Sequence, residues 1–258
     1  MSQPVGDQRL ETHRKQPAPH GAPQADASFF RDWLDSPYIR LIRDAAGLRG
    51  RERVLEAGCG GARFSIALAI LGCRVTSLDS SPEMVRRALA LEHEAERFYG
   101  HLGMDAIQGE IARLPFPNDQ FDLVLNESVV EHWLDEAERL AVLREMVRVA
   151  RGGGTVVVIV PNTAHVLRGW WRLTRSPGYR CPPMTRYTAR KLRTELAAAG
   201  CGGVQADGFD PYRSIAQWPD WWPLRKVAGA LNRLLPQPKW LRQTFGVDLV
   251  AWGRKEDR

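Results

Sequence analysis

Three acids stand where three successive apolar runs end. Glu56 falls in "RVLEA" (53–57), Asp79 closes "CRVTSLD" (73–79) and Glu110 follows "MDAIQG" (104–109). The first run turns at once through Gly58, Gly60 and Gly61, within "VLEAGCGGARFS" (54–65). A parallel strand feeding a glycine-rich turn brings a ligand to the carboxyl edge of a sheet, against bare backbone and a helix N-terminus. A dinucleotide fingerprint would place its last glycine where Arg63 stands, and an arginine there obstructs close packing of helix on strand. Glu56, two residues before Gly58, repels a pyrophosphate and attracts an ammonium. Asp79, 23 residues further along, can accept hydrogen bonds from both hydroxyls of a ribose. Glu110 is placed to address an adenine edge. A ligand that combines an ammonium, a ribose and a purine is S-adenosylmethionine (SAM).

Such residues need a sheet to hold them in line, and the sequence supplies one. After "RVLEA" comes a helix through Phe64, Ile66, Ala67 and Ile70, then the second strand. "SSPEMVRRALALEHEAERF" opens with a serine N-cap, a proline and a glutamate, which are helix-start signals. "FDLVLN" (121–126) and "TVVVIV" (155–160) are further strands, the latter apolar on both faces as a buried parallel strand should be. "DEAERLAVLREMVRVA" is an amphipathic helix that we expect to stop at Gly152-Gly153-Gly154. Strands alternating with helices of this length specify βαβ units and a parallel sheet. "ARKLRTELAAAG" reads as a helix ending in Gly200, and "GVQADGF" and "FGVDLVAWGRK" as closing strands. Upstream, apolar residues from Ser28 to Leu48 recur at helical spacing around a break at Ser36-Pro37, which suggests two short helices.

The motifs "VLEAGCGGAR", "LDSSPEMV", "GEIARLPFPNDQFDLVLNESVVEHW" and "LREMVRVARGGG" resemble, in order and spacing, those of the class I SAM-dependent methyltransferases. The small-molecule branch that includes the ubiquinone and menaquinone biosynthesis enzymes is the nearest likeness, over roughly residues 50–162. The resemblance implies an α/β, Rossmann-like, doubly wound sheet of seven strands, mostly parallel with one antiparallel strand. It also implies site roles: Glu56, Gly58, Cys59 and Gly60 around the methionine moiety, and Asp79 with Ser80 on the ribose. Met84, Glu110 and Ile111 would lie about the adenine, and Asn126 near the methyl group. S-adenosylhomocysteine would be the product. Two departures stand out. Ala62 takes the place of the family's third glycine, which is tolerable unless its φ is positive. Ser128 replaces the glutamate of a magnesium-type site, with Glu127 one place off, so no metal is expected.

His165 and His132 are the candidate bases, His165 because it follows the fifth strand where a segment should cover the pocket. Tyr179 and Tyr187 are weaker candidates. Methyl transfer asks mainly for in-line positioning of the acceptor, because the sulfonium already carries the leaving group. Residues 1–27 read as a disordered tail and 28–258 as one methyltransferase domain. Within it, an acceptor-covering insertion lies around 162–186 and a variable segment around 211–240. Asn162 to Thr194 carries eight Arg or Lys and no acid, and seven of the nine tryptophans lie beyond position 160. That composition suits a lid over an apolar or anionic small-molecule acceptor, which could be lipid- or sugar-linked, and oxygen is the expected accepting atom. It also suits peripheral membrane contact through residues 165–187.

A net charge of +6 favours anionic partners in general. Nucleic acid is disfavoured, since the fourth strand ends "LNES" rather than in an Asn/Asp-Pro-Pro-aromatic turn. RNA methylation and a non-catalytic SAM-binding partner protein are the alternatives. Four cysteines without CxxC spacing read as reduced thiols of a cytoplasmic protein, at most peripheral to the inner face of a membrane.

Overall fold

The computed structural model describes residues 26–162, 183–211, 227, 230–231 and 234–256. Asp26 opens the first helix, α1 (Ala27–Leu34), by accepting hydrogen bonds from the Ser28 and Phe29 amides at 2.9 and 3.0 Å. The break read at Ser36-Pro37 is the start of α2 (Pro37–Ala46), with Ser36 as N-cap, proline at the first position and left-handed Gly47 beyond the end. Then follow β1 (Arg53–Ala57), α3 (Arg63–Ile70), β2 (Arg74–Asp79), α4 (Pro82–Tyr99) and β3 (Met104–Gln108). Next come β4 (Phe121–Glu127), a single 3-10 turn at Val130–His132, α5 (Glu136–Val149) and β5 (Ala150–Pro161). The chain closes with α6 (Ala189–Ala198), β6 (Cys201–Phe209), α7 (Lys239–Phe245) and β7 (Asp248–Lys255).

The seven strands form one sheet in the order β3-β2-β1-β4-β5-β7-β6, parallel except for β7, which runs antiparallel to both its neighbours. Its two faces bury different helices. Leu55, Ala57 and Val124 point to a core shared with α5 and α6. Val54, Leu123 and Leu125 point to the other, with Phe30, Ile42 and Phe64 from α1, α2 and α3. Neighbours in sequence therefore serve opposite cores, the period of two that a strand imposes. This is the doubly wound α/β architecture that the alternation of elements predicts.

One boundary differs. Residues Gly152-Gly153-Gly154 do not stop α5: the helix ends at Val149 and the glycines lie inside the long strand β5. There the register against β4 shifts between Phe121 and Leu123, and Gly153 takes φ 67°. A side chain on Gly154 would meet the carbonyl oxygens of Arg151 and Phe121 at 2.8 and 3.1 Å. The triplet is a bulge that realigns the strand. Residues 1–25 of the tail, and most of the insertion and of the variable segment (163–182, 212–226), lie outside the described residues.

Candidate functional site

Every residue of β1 after Arg53 is buried, with β2 and β4 on either side, so the chain leaves the centre of the sheet at its carboxyl edge. The turn it enters is tight. The Gly58 and Cys59 amides both donate to the Leu78 carbonyl, at 2.7 and 2.9 Å, and Gly58 takes φ 83°. A side chain at Gly58 would stand 2.5 Å from Val129 Cγ2, so the β4 loop presses directly on this glycine. Gly60 and Gly61 are the opposite case: a Cβ there would meet nothing within 4 Å. The turn is closed below and open above. Ala62 holds φ 54° and caps α3 while fully buried. The departure from glycine is therefore in the left-handed region, a strain of about 1–2 kcal/mol that the surrounding packing sustains.

Glu56 lies beneath the turn with 2 % of its surface exposed. Its Oε2 accepts hydrogen bonds from both the amide and the hydroxyl of Ser65, and Ser65 Oγ accepts from Ser77 Oγ at 2.6 Å. Burial pushes its carboxyl up to about 8, the Ser65 hydrogen bonds opposing the rise, Glu127 adding to it and Arg63 easing it. The sequence reading missed Ser65 and Ser77. Their signal is a serine inside the apolar helical run "RFSIALAI" and another in the middle of a buried strand, both needing a polar partner.

Asp79, at the end of β2, joins two neighbours. Its Oδ2 accepts from the Gly60 amide at 2.8 Å and its Oδ1 from the Ser81 amide at 2.9 Å. Ser81 in turn caps α4 by accepting from Met84, which is half-buried near the same helix start. Ser80 offers its carbonyl to the Gln108 side chain at 3.1 Å, linking the ends of β2 and β3. Glu110 is exposed, and its carbonyl accepts from the Arg113 amide at 3.1 Å beyond β3, while Ile111 beside it is buried. Asn126 is fully buried near the end of β4; its Nδ2 donates to the Ala57 carbonyl at 2.7 Å and its Oδ1 has no hydrogen-bond partner among the described residues. Cys59 is a buried free thiol whose protonated form burial favours.

Glu127 accepts from Ser128 Oγ and stands 3.9 Å from Arg63, whose guanidinium lies 4.9 Å over the Trp33 ring. Through Trp33, α1 reaches the site from outside the sheet. His132 sits half-exposed on the 3-10 turn after β4. His165 and Tyr179 lie outside the described residues. Tyr187 stands in the core, its hydroxyl donating to Glu195 Oε2 at 2.7 Å. A separate groove of about 1030 Å³, lined by Asp44, Thr155, Gln205, Trp252 and Arg254, opens at the opposite, amino edge of the central strands. It contains none of these acids.

The ligand implied by the resemblance fits the carboxyl edge on structural grounds. Space opens above Gly60 and Gly61, a buried amide oxygen at Asn126 awaits a donor, and the Glu56 carboxyl is set at the base of the turn.

Comparison with known proteins agrees with this geometry. The methyltransferase domain family matches residues 55–158. A probable SAM-dependent methyltransferase of Mycolicibacterium smegmatis is 33% identical over 60% of this chain and 50% of its own length. A malonyl-[acyl-carrier protein] O-methyltransferase of Enterobacter lignolyticus is 30% identical over 63% of this chain and 62% of its own. The chain thus spans about half to three fifths of the length of these two relatives. Among solved structures, a SAM-dependent methyltransferase of Methanosarcina mazei superposes with a TM-score of 0.60 at 15% identity, covering 86% of this chain and 99% of that one. That likeness concerns the fold.

Proposed function

We propose that this chain transfers the methyl group of SAM to a small acceptor, with oxygen as the accepting atom, a reading supported by the match of residues 55–158 to the methyltransferase domain family. The observation that carries the reading is the Glu56–Asp79 frame around an open glycine turn: one carboxyl buried beneath it, the other fastened to the Gly60 amide. When bound, SAM supplies an activated methyl on a sulfonium. The chain's part is to position. The Gly60 amide and the Ser81 amide fix the Asp79 carboxylate at the end of β2, where it faces a ribose. Glu56 offers a carboxyl to an ammonium, and Asn126, anchored through its Nδ2 to the Ala57 carbonyl, keeps a buried amide oxygen for a donor on the ligand. His132 and His165 are the candidate bases for a hydroxyl acceptor.

Support for oxygen comes from the Enterobacter relative, whose name specifies an O-methyltransferase. The acceptor is expected to be apolar or anionic, given the basic, tryptophan-rich composition beyond residue 160. Incubation with methyl-labelled SAM and a panel of phenols, carboxylates and amines tests this directly. Label should pass to an oxygen acceptor. Mild base then separates the classes, since a methyl ester releases its label as methanol and an aryl ether keeps it. Transfer to amines alone would refute the oxygen assignment, and no transfer to any acceptor by protein that binds S-adenosylhomocysteine would favour a non-catalytic role.

A further inference from the structure

Well-packed proteins leave few large apolar side chains fully in water, and those that stay exposed in a cluster mark an interaction surface. Here Leu234 is 79% exposed, Trp240 63% and Leu235 44%, all within seven residues. Val227, one helical stretch earlier, is 50% exposed. Lys239 stands exposed among them. Between residues 225 and 242 the sequence holds Arg225, Lys226, Arg233, Lys239 and Arg242 and no acid.

The place of this stretch in the fold is fixed by its downstream end. Helix α7 leads into β7, whose first residue, Asp248, pairs with Pro161 at the end of β5. Asn162 anchors the same corner, its amide donating to the Val247 carbonyl and its side chain to the Gly246 carbonyl, at 2.8 and 2.9 Å. Arg242 is held by Asp207 of β6. The exposed apolar residues therefore emerge at the carboxyl edge of the sheet, the edge that carries the glycine turn.

We propose that Leu234, Leu235 and Trp240, with Lys239 beside them, form a docking surface for an anionic lipid bilayer. Leucines and a tryptophan beside cations, without acids, are what an interfacial segment needs: aliphatic groups for the acyl boundary, an indole for the headgroup level and lysine or arginine for anionic lipid. A nucleic acid would call for a row of aromatic platforms, whereas here Trp240 supplies a single ring and the leucines beside it offer bases nothing to stack on. Among the described residues no helix is long and apolar enough to cross a membrane, so contact through this patch is at the surface. Docking at this edge would let an apolar acceptor reach the site from the bilayer, a consequence that rests on the proposed function. The docking itself does not.

Co-sedimentation of the full chain with vesicles tests it, phosphatidylglycerol mixed with phosphatidylcholine against phosphatidylcholine alone. The chain should bind the anionic vesicles and weaken as salt rises. Leu234→Glu and Trp240→Glu should each reduce binding at least tenfold, and Lys239→Glu should reduce it too. Each variant is also titrated with S-adenosylhomocysteine, and affinity equal to that of the unchanged chain shows the fold intact. Binding to neither vesicle, equal binding to both, or anionic binding that the glutamate variants retain would overturn the proposal. So would a soluble dimer that Leu234→Glu dissociates without any vesicle binding, which would assign the patch to self-association. Vesicle binding by a chain that does not bind S-adenosylhomocysteine would leave this surface standing and sink the methyltransferase reading instead.

Discussion

Arg139→Met should lower the unfolding free energy by about 3–5 kcal/mol, the range for leaving one member of a buried ion pair alone. Arg139 is 1% exposed and Glu195 is 4% exposed. The guanidinium grips the carboxylate with two nitrogens, Nε to Oε2 at 3.0 Å and Nη2 to Oε1 at 2.6 Å. Its remaining nitrogen donates to the Trp133 carbonyl at 2.8 Å and to Thr185 Oγ1 at 3.1 Å. Without it, Glu195 keeps the Tyr187 hydroxyl and Lys191 at 3.8 Å, which is too little for a carboxylate inside a core. Since domains are stable by only about 5–15 kcal/mol, a loss of this size should be visible as a large drop in the urea midpoint. Arg139→Met combined with Glu195→Leu should recover most of it, because an apolar pair of similar volume carries no desolvation cost. A loss below about 1 kcal/mol for the single variant would mean that the pair contributes like a surface salt bridge.

The same clasp matters for the site. It ties the start of α5 to α6, and through Thr185, whose amide donates to the Glu131 carbonyl at 2.7 Å, it fixes where the chain returns from the segment around 162–186. If that segment covers the acceptor, Arg139 determines one of its ends.

The second large effect concerns pH. Glu56 titrates near 8 in the folded chain against an ordinary value of 4.5, so the folded state holds a proton that the unfolded state has lost throughout that window. With more protons on the native state, stability must fall as pH rises. Glu56's contribution is fully present below about 4.5 and is lost as pH climbs through 8. Each unit corresponds to about 1.4 kcal/mol, so the total is on the order of a few kcal/mol. The neighbours act in known directions: Glu127 strengthens the effect and Arg63 weakens it, while Asp79 lies across the turn. Carboxyls held low by hydrogen bonds, such as Glu145 beside Arg148, change stability in more acidic solution and leave this window clear. Urea unfolding at pH 5.5 and pH 8 should show a decline in the unchanged chain that Glu56→Gln removes. Identical declines in both would show that Glu56 is not the group responsible. A ligand ammonium should draw the proton off, so binding should tighten from pH 6 to 8 through Glu56.

Much of this was legible in the sequence, for physical reasons. Strand β1 was placed to the residue and β2 to β4 within one, because buried strands read as short apolar runs bounded by glycine or acids. The helix start at Ser81-Pro82 announced itself through capping chemistry, whereas Ser36-Pro37 read only as a break between two helical stretches and proved to be the cap of the second. The glycine triplet misled because glycine marks helix ends and strand bulges alike, and only the pairing of β5 with β4 separates the two. Ser65, Ser77 and Val129 escaped notice because their importance arises from contacts across the sheet, 9 to 71 residues from the groups they touch. Arg139 looked like one more charge on an amphipathic helix. Its partner Glu195 is 56 residues away, beyond the reach of any local pattern.

The measurement that decides the central claim is calorimetric titration with S-adenosylhomocysteine, with NAD as the comparison ligand and Asp79→Ala and Glu56→Ala run alongside. Micromolar binding of S-adenosylhomocysteine, at least tenfold weaker in both variants and absent for NAD, is the expected result. Folded protein that binds NAD, or that binds S-adenosylhomocysteine equally well without Asp79 and Glu56, would contradict the assignment of this turn.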